Sequence, residues 1–106
     1  MAEVTTTYVV ECFLPGVDDA SVQQAADATA IEVRRLGLAD REIEYVGALL
    51  MAGDEVVLHT FRARDPELVR RVSAAAGLAF ARIVESVAVS AAPGAPLPGR
   101  PPGRTR

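Results

Sequence analysis

The chain of 106 residues contains no lysine and no tryptophan, one histidine, one cysteine, two tyrosines and three phenylalanines. Each shortage excludes something. With Cys12 as the single cysteine, no disulfide can close within the chain, which suits a reducing compartment and predicts a cytoplasmic protein. No apolar run approaches the ~18 residues of a membrane-spanning helix, so no membrane partner is expected. The start, Met1-Ala2-Glu3-Val4, has no basic region followed by an apolar stretch, so no signal peptide is expected either. All eleven cations are arginine, a bias that fits a GC-rich genome better than a set of phosphate clamps. Three of them, Arg100, Arg104 and Arg106, lie at the far end. Residues 1–90 hold eight arginines against fourteen acids, a net charge of −6. An acidic body lacks the basic surface that phosphate backbones require, so nucleic acid is not expected as a partner.

What is present is half hydrophobic and strongly patterned. Residues 7–13 are β-branched and aromatic with one polar interruption, a central strand, and Pro15-Gly16 ends it. Ser21 with Gln24 three places on has the form of a capping box. Val22, Ala25, Ala26, Thr29, Val33 and Leu36 then recur at helical spacing, and Gly37 marks the expected stop. Residues 43–51 form a second strand, Ala52-Gly53-Asp54 a hairpin turn and residues 55–62 a third strand. Asp65-Pro66-Glu67 reads as a helix start, with an N-cap, proline at the first helical position and an acid in the first turn. Leu68, Val69, Val72, Ala75 and Ala76 supply the buried stripe, Gly77 closes it, and residues 83–89 are the last strand. Residues 91–106 hold five of the seven prolines with glycine, alanine and arginine, a composition that cannot build a core. The expected division is one domain over 1–90 and a disordered tail over 91–106.

The order strand, helix, strand, strand, helix, strand in under ~100 residues is the βαββαβ, ferredoxin-like α+β plan. It predicts a four-stranded antiparallel sheet in the order 4-1-3-2 with both helices on one face. The other face is left bare, and a bare apolar face is most simply buried against a second copy, a homodimer of the dimeric α/β barrel type.

Alternation along each strand sorts the polar residues. In strand one, Tyr8, Val10 and Cys12 share a face opposite Val9, Glu11 and Phe13. In strand three, Val56, Leu58 and Thr60 oppose Val57, His59 and Phe61. Placing the uncharged sets Val10, Cys12, Val56 and Leu58 under the helices puts Glu11 and His59 on the open side. Burying Glu85 is costly, so it also goes outside. Either Glu44 or Tyr45 can point outward from strand two. Strands one and three are expected to run parallel, with strands four and two opposite, so Glu85, Glu11, His59 and Tyr45 form a row across one end of the open face. Such a row can bind a small ligand. Its Glu11, His59 and Glu85 can ligate a divalent metal through N and O atoms, and His59 can serve as a general base. The same residues also fit a plain packing role, with the glutamates paired to arginines. Cys12 under the helices is a small buried hydrophobe. Arg62 and Arg64 are expected in solvent or paired with Asp65 and Glu67.

Two segments carry a resemblance. Tyr8-Val9-Val10-Glu11-Cys12-Phe13-Leu14-Pro15-Gly16 and the stretch over 76–87, Ala-Gly-Leu-Ala-Phe-Ala-Arg-Ile-Val-Glu-Ser-Val, resemble a small bacterial nickel-binding-protein family of the ferredoxin-like fold. Most of its members are known only as a domain of unknown function. The likeness spans roughly residues 7–90 and implies a dimer and a bound divalent metal, nickel. Glu11 and Glu85 match the family's glutamates. Glu44 stands where relatives often carry a histidine before the tyrosine, and Ala79 stands where they carry proline. With one histidine per chain, the glutamates would supply most ligands of such a site. The leading expectation is a protein that binds a small ligand or divalent metal on the open sheet face of a homodimer. The rival expectations are a monooxygenase-type or isomerase-type enzyme with His59 as base, and a non-catalytic interaction module.

Overall fold

The computed structural model of the chain describes residues 6–40, 42–87 and 89. The expected tail over 91–106 lies outside the described residues. The elements are β1 (Thr6–Phe13), α1 (Asp19–Asp40), β2 (Ile43–Met51), β3 (Val56–Ala63), α2 (Pro66–Ala75) and β4 (Arg82–Ser86), with a 3₁₀ turn at Ala52–Asp54 between β2 and β3. The sheet order is β2-β3-β1-β4 and every neighbouring pair is antiparallel. This is the ferredoxin-like α+β fold. Among the described residues no helix is long and apolar enough to cross a membrane.

Local chemistry sets the ends of the elements. After β1 the chain turns at Gly16, whose φ of 75° favours glycine. The turn is tied to the β2–β3 connection, because Glu55 accepts hydrogen bonds from the Leu14 amide through its carbonyl and from the Gly16 amide through its carboxylate, both at 2.9 Å. Helix α1 starts earlier than Ser21: Asp18 accepts from the Ser21 amide at 2.9 Å and is the cap. It also runs through Gly37 to Asp40. Glycine ends a helix only when it takes up the left-handed conformation; otherwise it costs about 1 kcal/mol and the helix continues.

Helix α2 begins as its sequence requires. Asp65 accepts from the amides of Glu67 and Leu68, and Pro66 takes a position whose N–H would have no helical partner. It ends in a Schellman motif. Gly77, at φ 78°, donates to the Ala74 carbonyl, and Leu78 donates to that of Ser73.

The core lies between the helices and one sheet face. It is built from Tyr8, Val10 and Cys12 of β1, Val57, Phe61 and Ala63 of β3, Ile43 of β2 and Leu68, Val69 and Val72 of α2. Val22, Val33 and Leu36 of α1 pack against it.

Two expectations about the sheet do not hold. Strands β1 and β3 are antiparallel, not parallel, because β1 returns through α1 to the parallel strand β2 and the hairpin reverses into β3. The pairing also sets Val10 opposite His59, Cys12 opposite Val57 and Tyr8 opposite Phe61. Directly opposed residues share a face, so Val57, His59 and Phe61 lie under the helices while Val56 and Leu58 lie on the open face. That reverses the expected assignment for β3.

Candidate functional site

The two polar side chains that the fold brings together are Tyr45 and His59. His59, in the middle of β3, is 1 % exposed. Tyr45, in β2 opposite Phe61, is half-buried on the same face. Its hydroxyl lies 2.9 Å from His59 Nδ1, and its ring stacks at a tilt on Phe61 with centroids 5.2 Å apart. A β-bulge at Val46 separates Tyr45 from Ala48, the residue directly opposite His59. Gly47 sits within that bulge at φ 152°, a conformation that disfavours a side chain.

Burial shapes the chemistry of the pair. It pushes the imidazole of His59 below its ordinary pKa, so His59 is neutral at pH 7. Tyr45 is pushed up to about 12, first by burial and then by the charge Cys12 carries once its thiol ionises at alkaline pH and by that of Asp27. A neutral phenol donating to Nδ1 satisfies both groups. The alternative tautomer, with hydrogen on Nδ1, would leave the phenol hydrogen and Nε2 both unpaired, so the first is favoured. Nε2–H is then the donor end of the ring.

Beside this pair is a cavity of about 380 Å³ between the first half of α1 and strand β2. Its walls are mixed: Val22 and Ala26 from the helix and Ala48 and Leu50 from the strand supply the apolar part. Asp19 and Gln23 are its polar side chains, and Gly47 leaves one wall without a side chain. Ala48 places the cavity wall next to His59 in the sheet.

The other expected site residues are elsewhere. Glu11 is on the open face and opposite Arg82, whose guanidinium it grips at 2.8 and 3.3 Å. Glu85 is opposite Tyr8 and so belongs to the helix-side face, exposed on the edge strand β4 rather than on the open side. Glu44, not Tyr45, points to the open side, where it pairs with Arg62 at 3.1 Å. Arg64 pairs with Glu42 at 2.8 Å, so neither arginine takes Asp65 or Glu67 as its partner. The expected row Glu85, Glu11, His59, Tyr45 is therefore not formed, since Glu11 and His59 are on opposite faces; only its Tyr45–His59 contact is made. Among the described residues no three histidine, cysteine, aspartate or glutamate side chains gather closely enough to hold a metal ion. Glu11, His59 and Glu85 do not fit a metal within one chain. Cys12 is buried beneath the helices as expected, and burial raises its thiol pKa.

The sequence reading missed Arg82 as the partner of Glu11 and missed the α1–β2 cavity. Arg82 was legible in principle, because register pairs it with Glu11. The cavity was not, because it depends on how far the helix stands off the strand.

The open face is itself distinctive. At one end Phe13, Leu49 and Met51 are 58 %, 62 % and 43 % exposed, with Val56 and Leu58 beside them. The charges on this face pair internally, as Glu11–Arg82 and Glu44–Arg62.

No protein-family model and no curated protein matches the chain. Among solved structures it is similar to the crystal structure of SCO4226 from Streptomyces coelicolor A3(2), with a TM-score of 0.63 and 22 % sequence identity, over 80 % of this chain and 99 % of that one. At that identity the likeness is one of fold, and the fold it supports is the ferredoxin-like βαββαβ sheet described above.

Proposed function

We propose that the chain is a small-ligand-binding protein whose ligand occupies the cavity between α1 and β2, and that it works as a homodimer joined through the open sheet face. The observation that carries the ligand reading is the cavity itself, where the side chains of Val22, Ala26, Ala48 and Leu50 stand beside the polar Asp19 and Gln23 and Ala48 joins it to His59 in the sheet. Apolar walls with a few fixed polar groups are the usual make-up of small-molecule sites. The cavity volume falls in the range of about 300–1,000 Å³ typical of such sites. Of the two ligand types expected from the sequence, an organic molecule suits this geometry, while a metal would need ligands brought from a second chain.

The dimer is supported by the exposed apolar corner Phe13, Leu49 and Met51. The neutral pairing of charges on the same face lets a second copy approach without burying a lone charge.

The test is a titration with 1-octanol followed by amide NMR. Saturable shifts at Val22, Ala26 and Ala48 are the expected result. Ala26→Phe and Ala48→Leu, which fill the cavity from opposite walls, should each remove them. Shifts confined to Phe13, Leu49 and Met51, and indifferent to both substitutions, would sink the reading.

The enzyme alternative asks His59 for a free basic nitrogen. Nδ1 is taken by Tyr45, and Nε2 carries hydrogen in the favoured tautomer, so the pair offers a donor rather than a base. Exchange of the α-protons of bound 2-octanone for solvent deuterium, lost in His59→Gln, would reverse that preference.

A further inference from the structure

We infer that the α1–β2 cavity selects a ligand with a cationic, hydrogen-bond-donating head on an apolar body, an amphipathic amine rather than an amphipathic acid; this rests on the cavity being the ligand site. The first ground is the sign of the lining. Asp19 is the one charged side chain among the lining residues, and none of them is a cation. The second is the state of Gln23. Its amide nitrogen donates to Asp27 at 2.9 Å. That contact engages one of its two N–H groups and leaves its oxygen able to accept. Asp19 accepts only, and Gln23 can accept, so the cavity can meet a donating head.

The third ground concerns the helix end. The start of a helix carries about half a positive charge, which by itself favours anions. Here that charge is already answered. Asp18 accepts from the Ser21 amide, and this bond holds its carboxyl below the usual carboxylate range. Asp18 and Asp19 together bring two negative charges against that half charge, and Asp27 adds a third two turns along the helix. The resulting field opposes a carboxylate or phosphate head. The apolar body is set by Val22, Ala26, Ala48 and Leu50.

The experiment compares three probes of one chain length on the whole protein at pH 7: octylamine (an ammonium ion there), 1-octanol and octanoate. Amide shifts at Val22, Ala26 and Ala48 report occupancy of the cavity. Octylamine is expected to bind more tightly than octanoate by about two- to fivefold, the scale of an exposed charge pair. The gap should shrink as salt is added. In Asp19→Asn the gap between octylamine and octanoate should close largely, and Asp19→Glu should restore it. Asp18 rather than Asp19 caps the helix, so this substitution leaves the helix start in place. Octanoate binding as tightly as octylamine, or a gap untouched by Asp19→Asn, overturns the charge selection and leaves the cavity reading standing. If none of the three probes moves the cavity amides, both fall.

Discussion

The Tyr45 hydroxyl and His59 Nδ1, 2.9 Å apart, join strands β2 and β3 beneath the helices by a side-chain bond in addition to their backbone pairing. Each side chain fixes the state of the other. The phenol keeps its proton because burial and nearby negative charge oppose its loss. The imidazole stays neutral because burial opposes its gain.

Removing the hydroxyl isolates a buried nitrogen. Tyr45→Phe retains the ring against Phe61 but leaves Nδ1 without its donor. Urea unfolding of this variant at pH 7 should show a loss of about 1–3 kcal/mol. A change within measurement error would mean that water replaces the hydroxyl at no cost.

The acid side follows from His59. In the unfolded chain its pKa takes the ordinary value of 6.5, and in the folded chain it is lower. Between the two, the unfolded state binds more protons. The stabilisation is therefore complete above about pH 6.5 and is lost as pH falls through the folded value. Urea midpoints measured from pH 7.5 down to 5 should decline below 6.5, and in His59→Phe this part of the decline should vanish.

The alkaline side belongs to Tyr45. Its folded pKa of about 12 lies above the ordinary 10, so the folded state holds its proton more firmly. That stabilisation is present below pH 10 and disappears as pH rises toward 12. Ultraviolet titration of the Tyr8→Phe variant, in which Tyr45 is the remaining phenol, should show no ionisation near 10 while the fold persists. A midpoint near 10 in the folded protein would contradict the burial argument.

The open face should hold two copies together. Leu49→Asp or Phe13→Asp places a charge in the apolar corner and should convert a dimer to monomers in sedimentation velocity. Thr7→Asp, on the open face opposite Arg62 at the polar end of β1, serves as the control for added charge. A wild-type protein that sediments as a monomer at high concentration would remove the dimer from the proposal.

Helix α2 rests on its cap. Asp65→Ala removes the acceptor of two backbone amides and should cost about 1 kcal/mol by urea unfolding. Asp65→Ser should recover most of it.

The sequence by itself determined the order of elements, because the spacing of apolar residues changes from two to 3.6 where strands give way to helices. It determined the ends of α2, where Asp65, Pro66 and Gly77 each have one favourable backbone role. It also determined which residues of a strand travel together, since alternation couples Val57 to His59 and Phe61 whichever way they point. Tertiary structure alone decided the direction. Both faces of β3 are apolar enough to be buried, Val56 and Leu58 on one, Val57 and Phe61 on the other, so hydrophobicity within the strand could not choose. Pairing with β1 chose, by setting Val10 opposite His59 and so drawing the histidine under the helices. Within β3, one polar residue stands between two large hydrophobic neighbours on the same face. In the folded chain Phe61 and Val57 fill the core, and Tyr45, from another strand, satisfies the imidazole. That partner was beyond reach of β3's own sequence, because the cost of burying a polar group depends on a hydrogen bond made across strands.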